Sequence, residues 1–172
     1  MNEYGLKYFM RRIWYHLTIR NKPLAVHTEA IFIDEVWEEI KKRVLNKEVY
    51  TWYVMTPANY DYFKGSFGIK KSKKEISDIM KKRYLWMEKN GQKIELHVHL
   101  AMLMNISYEE QKKLIGEGYN WMKKELGISP EEVVFGWWEY NEDSLKIIRE
   151  LGLNHIKQND YASTHDYNWV GR

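Results

Sequence analysis

The chain has no cysteine. Disulfides and thiolate metal sites are thereby excluded, and any metal must be held by His, Asp, Glu or water. The same absence fits a reducing compartment, so a cytoplasmic protein is expected. Long apolar runs are missing too. No stretch approaches the ~18 residues of a membrane span, and Lys7, Arg11, Arg12 and His16 interrupt any secretory pattern at the N-terminus. Nor is there an excess of one charge. The sequence sets 27 Lys and Arg against 24 Asp and Glu, a net charge of +3, without the concentrated basic face that nucleic-acid binding needs. Lys64, Lys70, Lys71, Lys73 and Lys74 make only a local basic stretch, read as a solvated loop and helix start. Internal repeats and low-complexity tracts are absent as well.

What is present is a globular composition. Over 172 residues, 44% are hydrophobic and 30% charged, enough for one domain with a sizeable core. Aromatics reach 15%, with eight Trp and thirteen Tyr. Exposed rings can stack on sugars or bases, and buried ones fill cores; composition leaves both uses open. Residues 1–172 are read as a single domain. Leu6, Phe9, Ile13, Trp14 and Leu17 give residues 1–20 an amphipathic helical stripe, suited to packing on the domain or on a second copy. A homodimer is one way to cover it.

Strands and helices alternate along the rest. Residues 24–29 predict a strand, and a helix follows over 34–45 with Val36, Trp37, Ile40 and Val44 as its buried stripe. Val49 to Met55 reads as a strand stopped by Pro57, then a loop of about fifteen residues to Ser72, a length often functional. A helix is expected from Lys73 to about Glu88. After the strand around His97, the spacing Ser107-Tyr108-Glu109-Glu110 marks the head of a long helix to about Leu126. A strand over 132–140, a helix capped by Asn141 and closed by Gly152, and a last strand over 155–160 complete the core; residues 161–172 form a tail without clear period. Such alternation with short connections predicts an α/β fold of mostly parallel strands.

The sharpest signal is Glu95-Leu96-His97-Val98-His99-Leu100. Its period of two puts Glu95, His97 and His99 on one face and the apolar residues on the other. Neutral imidazole is the commonest transition-metal ligand. Ligands of parallel α/β folds sit at the carboxyl ends of strands, and other predicted strand ends also carry polar groups: His27 and Glu29; Trp137, Trp138 and Glu139; Asn159 and Asp160. His27, His97 and His99 are therefore candidate ligands of a divalent metal, zinc first. Glu29 and Glu139 are candidate base and acid, each of which could instead ligate or form an ion pair. Trp137, Trp138 and Asp160 are candidate substrate contacts.

Three stretches resemble the polysaccharide deacetylases, metal-dependent carbohydrate esterases with a distorted, partly open β/α barrel. They are Ile94 to His99, Ser107 to Gly127, and Val133 to Asn141 followed by Ser144 to Leu153. Leu24 to Glu29 stands where the family carries its first catalytic strand. The resemblance implies an α/β fold, a distorted and incomplete (β/α) barrel over residues 23–160, and a metal-dependent hydrolase. Such an enzyme would remove an N-acetyl group from a carbohydrate or related small amide. Departures from the pattern are specific. His27 and Glu29 stand in place of paired aspartates, the fourth residue after His97 is Ala101, and Gly136, Trp137 and Trp138 occupy the place of a supporting arginine. The sequence also ends before the last strands of a full barrel. These departures motivate a second expectation, a catalytically inactive carbohydrate-binding or structural module of the same fold. A third treats Glu29 and Glu139 as the carboxylate pair of a metal-free glycoside hydrolase.

Overall fold

The computed structural model describes residues 24–47, 50–100, 106–157, 160 and 162–166. The helix expected over residues 1–20 lies outside them, as does Asn159. Along the described chain run β1 (Leu24–Thr28), α1 (Asp34–Leu45), β2 (Thr51–Val54), a 3-10 turn (Pro57–Asn59), α2 (Tyr60–Phe67), α3 (Lys73–Lys89), β3 (Lys93–Val98) and α4 (Tyr108–Trp121). After α4 come a π turn (Met122–Leu126), β4 (Glu132–Phe135), a second 3-10 turn (Gly136–Trp138), α5 (Glu142–Glu150), β5 (Asn154–His155) and β6 (Ala162–Asp166). The strands form one sheet in the order β5-β4-β3-β2-β1-β6, and every pairing in it is parallel. The fold is α/β, an incomplete β/α barrel. No helix among the described residues is long and apolar enough to cross a membrane.

Local chemistry explains the helix starts. Ser72 and Glu75 close a capping box at the head of α3, and Ser107 and Glu110 do so for α4, each satisfying backbone N–H groups that a helix leaves open. Asn141 does the same for α5 with Ser144 at the third position. Each crossover helix begins at the carboxyl edge of the sheet, so these caps lie on the side where ligands bind in such folds.

The two faces of the sheet differ in composition. Val26, Trp52, Val54, Ile94, Leu96, Val98, Val133 and Phe135 point to the helices and join the main core with Ile40, Met80, Tyr84, Met87 and Ile115. The other face has a small apolar cluster, Ala25, Tyr53 and Val134, with Trp138 and Ile156 packed on it. Between them stand His27, Glu95, His97 and Glu132. Sequence alternation predicted this division but not that both faces would be closed. Glu95, His97 and His99 are as buried as the apolar residues between them, because β3 is central and the turn after β4 folds back over it.

The expected loop over 58–72 differs most from prediction. Thr56 caps Ala58 N–H at 3.3 Å, Pro57 suits a first helical position, and the segment winds into the 3-10 turn and α2. The tail also contributes: β6 pairs with β1, Leu24 opposite Ala162 and His27 opposite Asp166. Strand ends expected at Tyr140 and Asp160 fall earlier, at Phe135 and His155, where turns take over.

Candidate metal centre

The inner face is built in layers from the amino to the carboxyl edge. At the bottom, Glu95 is fixed from three sides. Its Oε2 accepts the backbone N–H groups of Glu131 and Glu132 at 2.8 Å each, and Oε1 meets Lys93 Nζ at 2.9 Å. Tyr53 donates its hydroxyl to Glu132 Oε2 at 2.8 Å. This polar floor is fully paired, as buried charge requires.

Above it lie the imidazoles. His97 and His99 stack with ring centroids 4.9 Å apart and 20° between planes, and His27 meets His97 edge-on at 4.9 Å. Burial first, then the neighbouring His27 and His99, hold His97 well below the ordinary imidazole pKa. Its ring is neutral at pH 7, with a lone pair to donate. Neither ring nitrogen of His97 has a hydrogen-bond partner. Such an orphaned buried polar group costs about 1–3 kcal/mol and calls for an explanation.

The top layer comes from loops. Glu29 leaves β1 with Oε1 2.6 Å from His99 Nε2, and Tyr62 of α2 donates its hydroxyl to Glu29 Oε2 at 2.8 Å. The Tyr62 ring stacks on His99 at 4.5 Å and 18°. Asn59 donates to the His99 carbonyl at 3.1 Å, fixing the end of β3. Gly136 lies against the other ring atoms: a Cβ there would fall 2.3 Å from His99 Cδ2 and 2.4 Å from Cγ and Cε1. Only glycine fits.

Glu29, His97 and His99 each offer one ligand atom, and these atoms lie within 4.8 Å of one another. They are 5%, 1% and 2% exposed. Two imidazoles and a carboxylate around one point match the donor set of hydrolytic zinc and of other divalent first-row metals, and one of the unpartnered nitrogens of His97 is where such an ion would bind. The residues present fit the group.

The remaining sequence candidates fall around this set. His27 is outside the three-atom group; its ring packs on His97, on Tyr53 at 6.0 Å and on Trp138 at 5.6 Å. Trp138 is half-buried over the inner face, with φ at +63°. Trp137 is described in its backbone only. Glu139 is half-buried just after the same turn, its N–H bonded to the Gly136 carbonyl at 3.2 Å, and is not among the three clustered ligands. Asp160 is exposed beyond β5 and accepts the Lys157 N–H at 2.7 Å. Sequence reasoning did not single out Tyr62 or Asn59, and met Gly136 only as a departure from the family pattern. Tyr62 lay in a segment noted only for its aromatics, and nothing local betrays a contact across 33 or 37 positions.

The fold is that of the family 4 carbohydrate esterases. A Streptomyces lividans family 4 carbohydrate esterase, solved with acetate, superposes with a TM-score of 0.56 over 80% of this chain and 62% of its own, at 10% identity. A Bacillus subtilis peptidoglycan deacetylase gives 0.55 over 80% and 59%, at 14% identity. A family 4 pseudoenzyme from Bacillus anthracis gives 0.54 over 79% and 43%, at 8% identity. The chain thus spans about three-fifths of the first two relatives' length. No protein-family model matches the sequence, and no curated protein is significantly similar to it. The barrel expected from the sequence is found as a fold; at such identities the likeness carries no activity with it.

Proposed function

We propose that this chain is a metal-dependent hydrolase that removes an acyl group, most simply N-acetyl, from a carbohydrate or related small amide. The observation that carries the reading is the unpartnered, buried His97 in one compact group with His99 and Glu29. In the proposal these three residues, with His27 beside them, hold a divalent ion, zinc first. Such an ion lowers the pKa of water and polarises a carbonyl. Burial keeps His97 neutral and ready to ligate. Glu29 presents Oε1 to the imidazoles while Tyr62 holds Oε2. Glu29 and Glu139 are the carboxylates assigned to proton transfer, and Glu139 follows the turn that packs on His99. Trp137 and Trp138 are assigned to a sugar-stacking wall, with Asp160 as a further substrate contact on the β5 side. The lack of cysteine supports a reducing, cytoplasmic setting. A homodimer covering residues 1–20 belongs to the same proposal.

The test is metal analysis of the purified protein, followed by zinc or cobalt titration of wild type and of His97→Ala/His99→Ala. Uptake of about one equivalent by wild type, lost in the double variant, is the expected result. Unchanged metal content in the variant overturns the assignment. Release of acetate from N-acetylated oligosaccharides, abolished by a chelator and by Glu29→Gln, tests the hydrolysis.

A second reading is favoured by one specific feature. Both oxygens of Glu29 are already engaged, by His99 and by Tyr62, and no other carboxylate stands in the three-ligand group. A catalytically inactive, carbohydrate-binding module of this fold follows if Glu29 only ligates and Glu139 does not act. One relative of the fold is itself described as a pseudoenzyme. Oligosaccharide binding without turnover in metal-loaded protein supports that reading; turnover lost in Glu29→Gln overturns it.

A further inference from the structure

We propose that Tyr62 is the positioning residue of the candidate metal centre, fixing Glu29 as a one-oxygen ligand and so selecting small, low-coordinate ions. The inference rests on the metal reading given above. Glu29 has two chemically equivalent oxygens, and the structure gives them different partners. Oε1 faces His99 Nε2 at 2.6 Å, whereas Oε2 takes the Tyr62 hydroxyl at 2.8 Å. The same side chain also lays its ring on His99. One residue outside the sheet thus restrains both a carboxylate and an imidazole of a single ligand set.

The ring is itself held. Phe63 and Phe67 meet it edge-on at 6.1 and 6.3 Å, and both pack on Phe32, the fourth residue of the run that follows β1. Tyr62, Phe63 and Phe67 belong to α2, so the helix acts as a splint between that run and the end of β3. The Tyr62 hydrogen bond takes one lone pair of Oε2 and holds the carboxylate with Oε1 toward the imidazoles, so that turning both oxygens to an ion would strain that bond. One-oxygen coordination suits tetrahedral zinc or cobalt, while two-oxygen carboxylates belong to larger, higher-coordinate ions such as calcium. Outer hydrogen bonds of this kind are worth about 10–100-fold in metal affinity.

Tyr62→Phe removes one oxygen atom and keeps the ring. Full-length wild type and variant are titrated with cobalt, their visible spectra recorded, and calcium used as competitor. The expected result is roughly 10–100-fold weaker cobalt binding in the variant, weaker visible bands as the coordination number rises, and calcium competition that wild type lacks. Tyr62→Gln, which keeps a donor but no ring, is expected to retain more cobalt affinity than Tyr62→Leu. Wild type that binds cobalt, with a variant of the same affinity and spectrum, overturns the role of Tyr62 and leaves the metal reading standing. Equal losses in Tyr62→Gln and Tyr62→Leu overturn it too. Wild type that takes up neither zinc nor cobalt ends the metal reading, and this proposal with it.

Discussion

Gly136→Ala is the smallest change that tests the architecture of the site. A Cβ at this position would sit over the His99 ring, nearly equidistant from Cδ2, Cγ and Cε1 at 2.3, 2.4 and 2.4 Å. Carbon atoms pack comfortably at about 3.5–4.0 Å, so the ring would have to retreat by more than ~1 Å. The space around it is taken. Tyr62 stacks on it, His97 lies 4.9 Å away, and Nε2 is tied to Glu29 at 2.6 Å. Retreat therefore breaks the Glu29 contact. Overpacking of this kind costs about 1–3 kcal/mol, and a lost buried hydrogen bond to a charged group adds roughly 1.5–3 kcal/mol. The expected sum is about 2.5–6 kcal/mol, or roughly 5–24 °C in Tm for a domain of this size.

Urea and thermal melts of metal-free protein measure the loss, and a double-mutant cycle assigns it. In a His99→Ala background the ring is gone and the new methyl has room. There Gly136→Ala is expected to cost less than about 0.5 kcal/mol, leaving a coupling of ~3 kcal/mol between two residues 37 positions apart. Equal losses in both backgrounds would mean that the methyl strains its own turn rather than His99, and the account of the close approach would be wrong.

Other expectations follow from the same geometry. Lys93→Met leaves Glu95 buried with two backbone donors but no cation, an expected loss of about 1–3 kcal/mol in chemical denaturation. Burial works against the Lys93 ammonium, but the hydrogen bond and charge of Glu95, with Glu132 and Glu131, outweigh it and raise its pKa. Its contribution is therefore fully present below about pH 10.4 and fades as pH rises through the folded-state value, so the variant's alkaline melts should lack that limb. Arg83 donates to the carbonyls of Ile31 and Ile33 and pairs with Asp34, whose pKa is lowered by the Arg83 hydrogen bond and charge. That contribution holds above the unfolded carboxyl value and is lost as pH falls through the lower folded value, so Asp34→Asn should narrow the stability difference between neutral and acid melts. At position 138, Gly should be more stable than Ala by about 1–2 kcal/mol, reversing the usual order, because the φ of +63° strains any side chain.

Much of the scaffold was legible because periodicity and caps are local. The helices over 34–45 and from Lys73 are found as expected, and Ser107 stands at the head of the long helix where its capping spacing placed it. Alternation in β3 placed His97 and His99 on one face. What failed to show depends on contacts between distant residues. α2 has eight residues, with Gly65 inside it and Gly68 closing it, too few for a helical period to emerge. β6 is polar after Ala162 and is recognisable only through its pairing with β1. Polarity at Glu95, His97 and His99 suggested an exposed cleft face. These residues are buried because the Gly136 turn and α2 close over them, and nothing within β3 announces either.

The placement of irregularities on this fold is itself informative. On the helix-covered face, local preference and packing largely agree: aliphatic and aromatic side chains fill one core from Val26 to Leu153, with the unpaired His155 Nε2 beside Phe135 as an exception. The inner face departs from those rules in several places that meet at one end. There His97 keeps two unpartnered nitrogens, Trp138 holds a left-handed backbone, and Gly136 touches an imidazole too closely for any side chain. Sequences that fold well violate local rules chiefly where chemistry requires it, and strain tends to gather at such places. The paired floor beneath argues against poor packing as the cause, since Glu95, Lys93, Tyr53 and Glu132 satisfy one another a few residues away. A face that buries Glu95 and Tyr53 with their bonds made, using Lys93 and Glu132 at its edge, has the means to satisfy His97 as well. That it leaves this ring unpaired beside Glu29 and His99 is what a ligand-binding site requires and what a merely structural histidine does not explain.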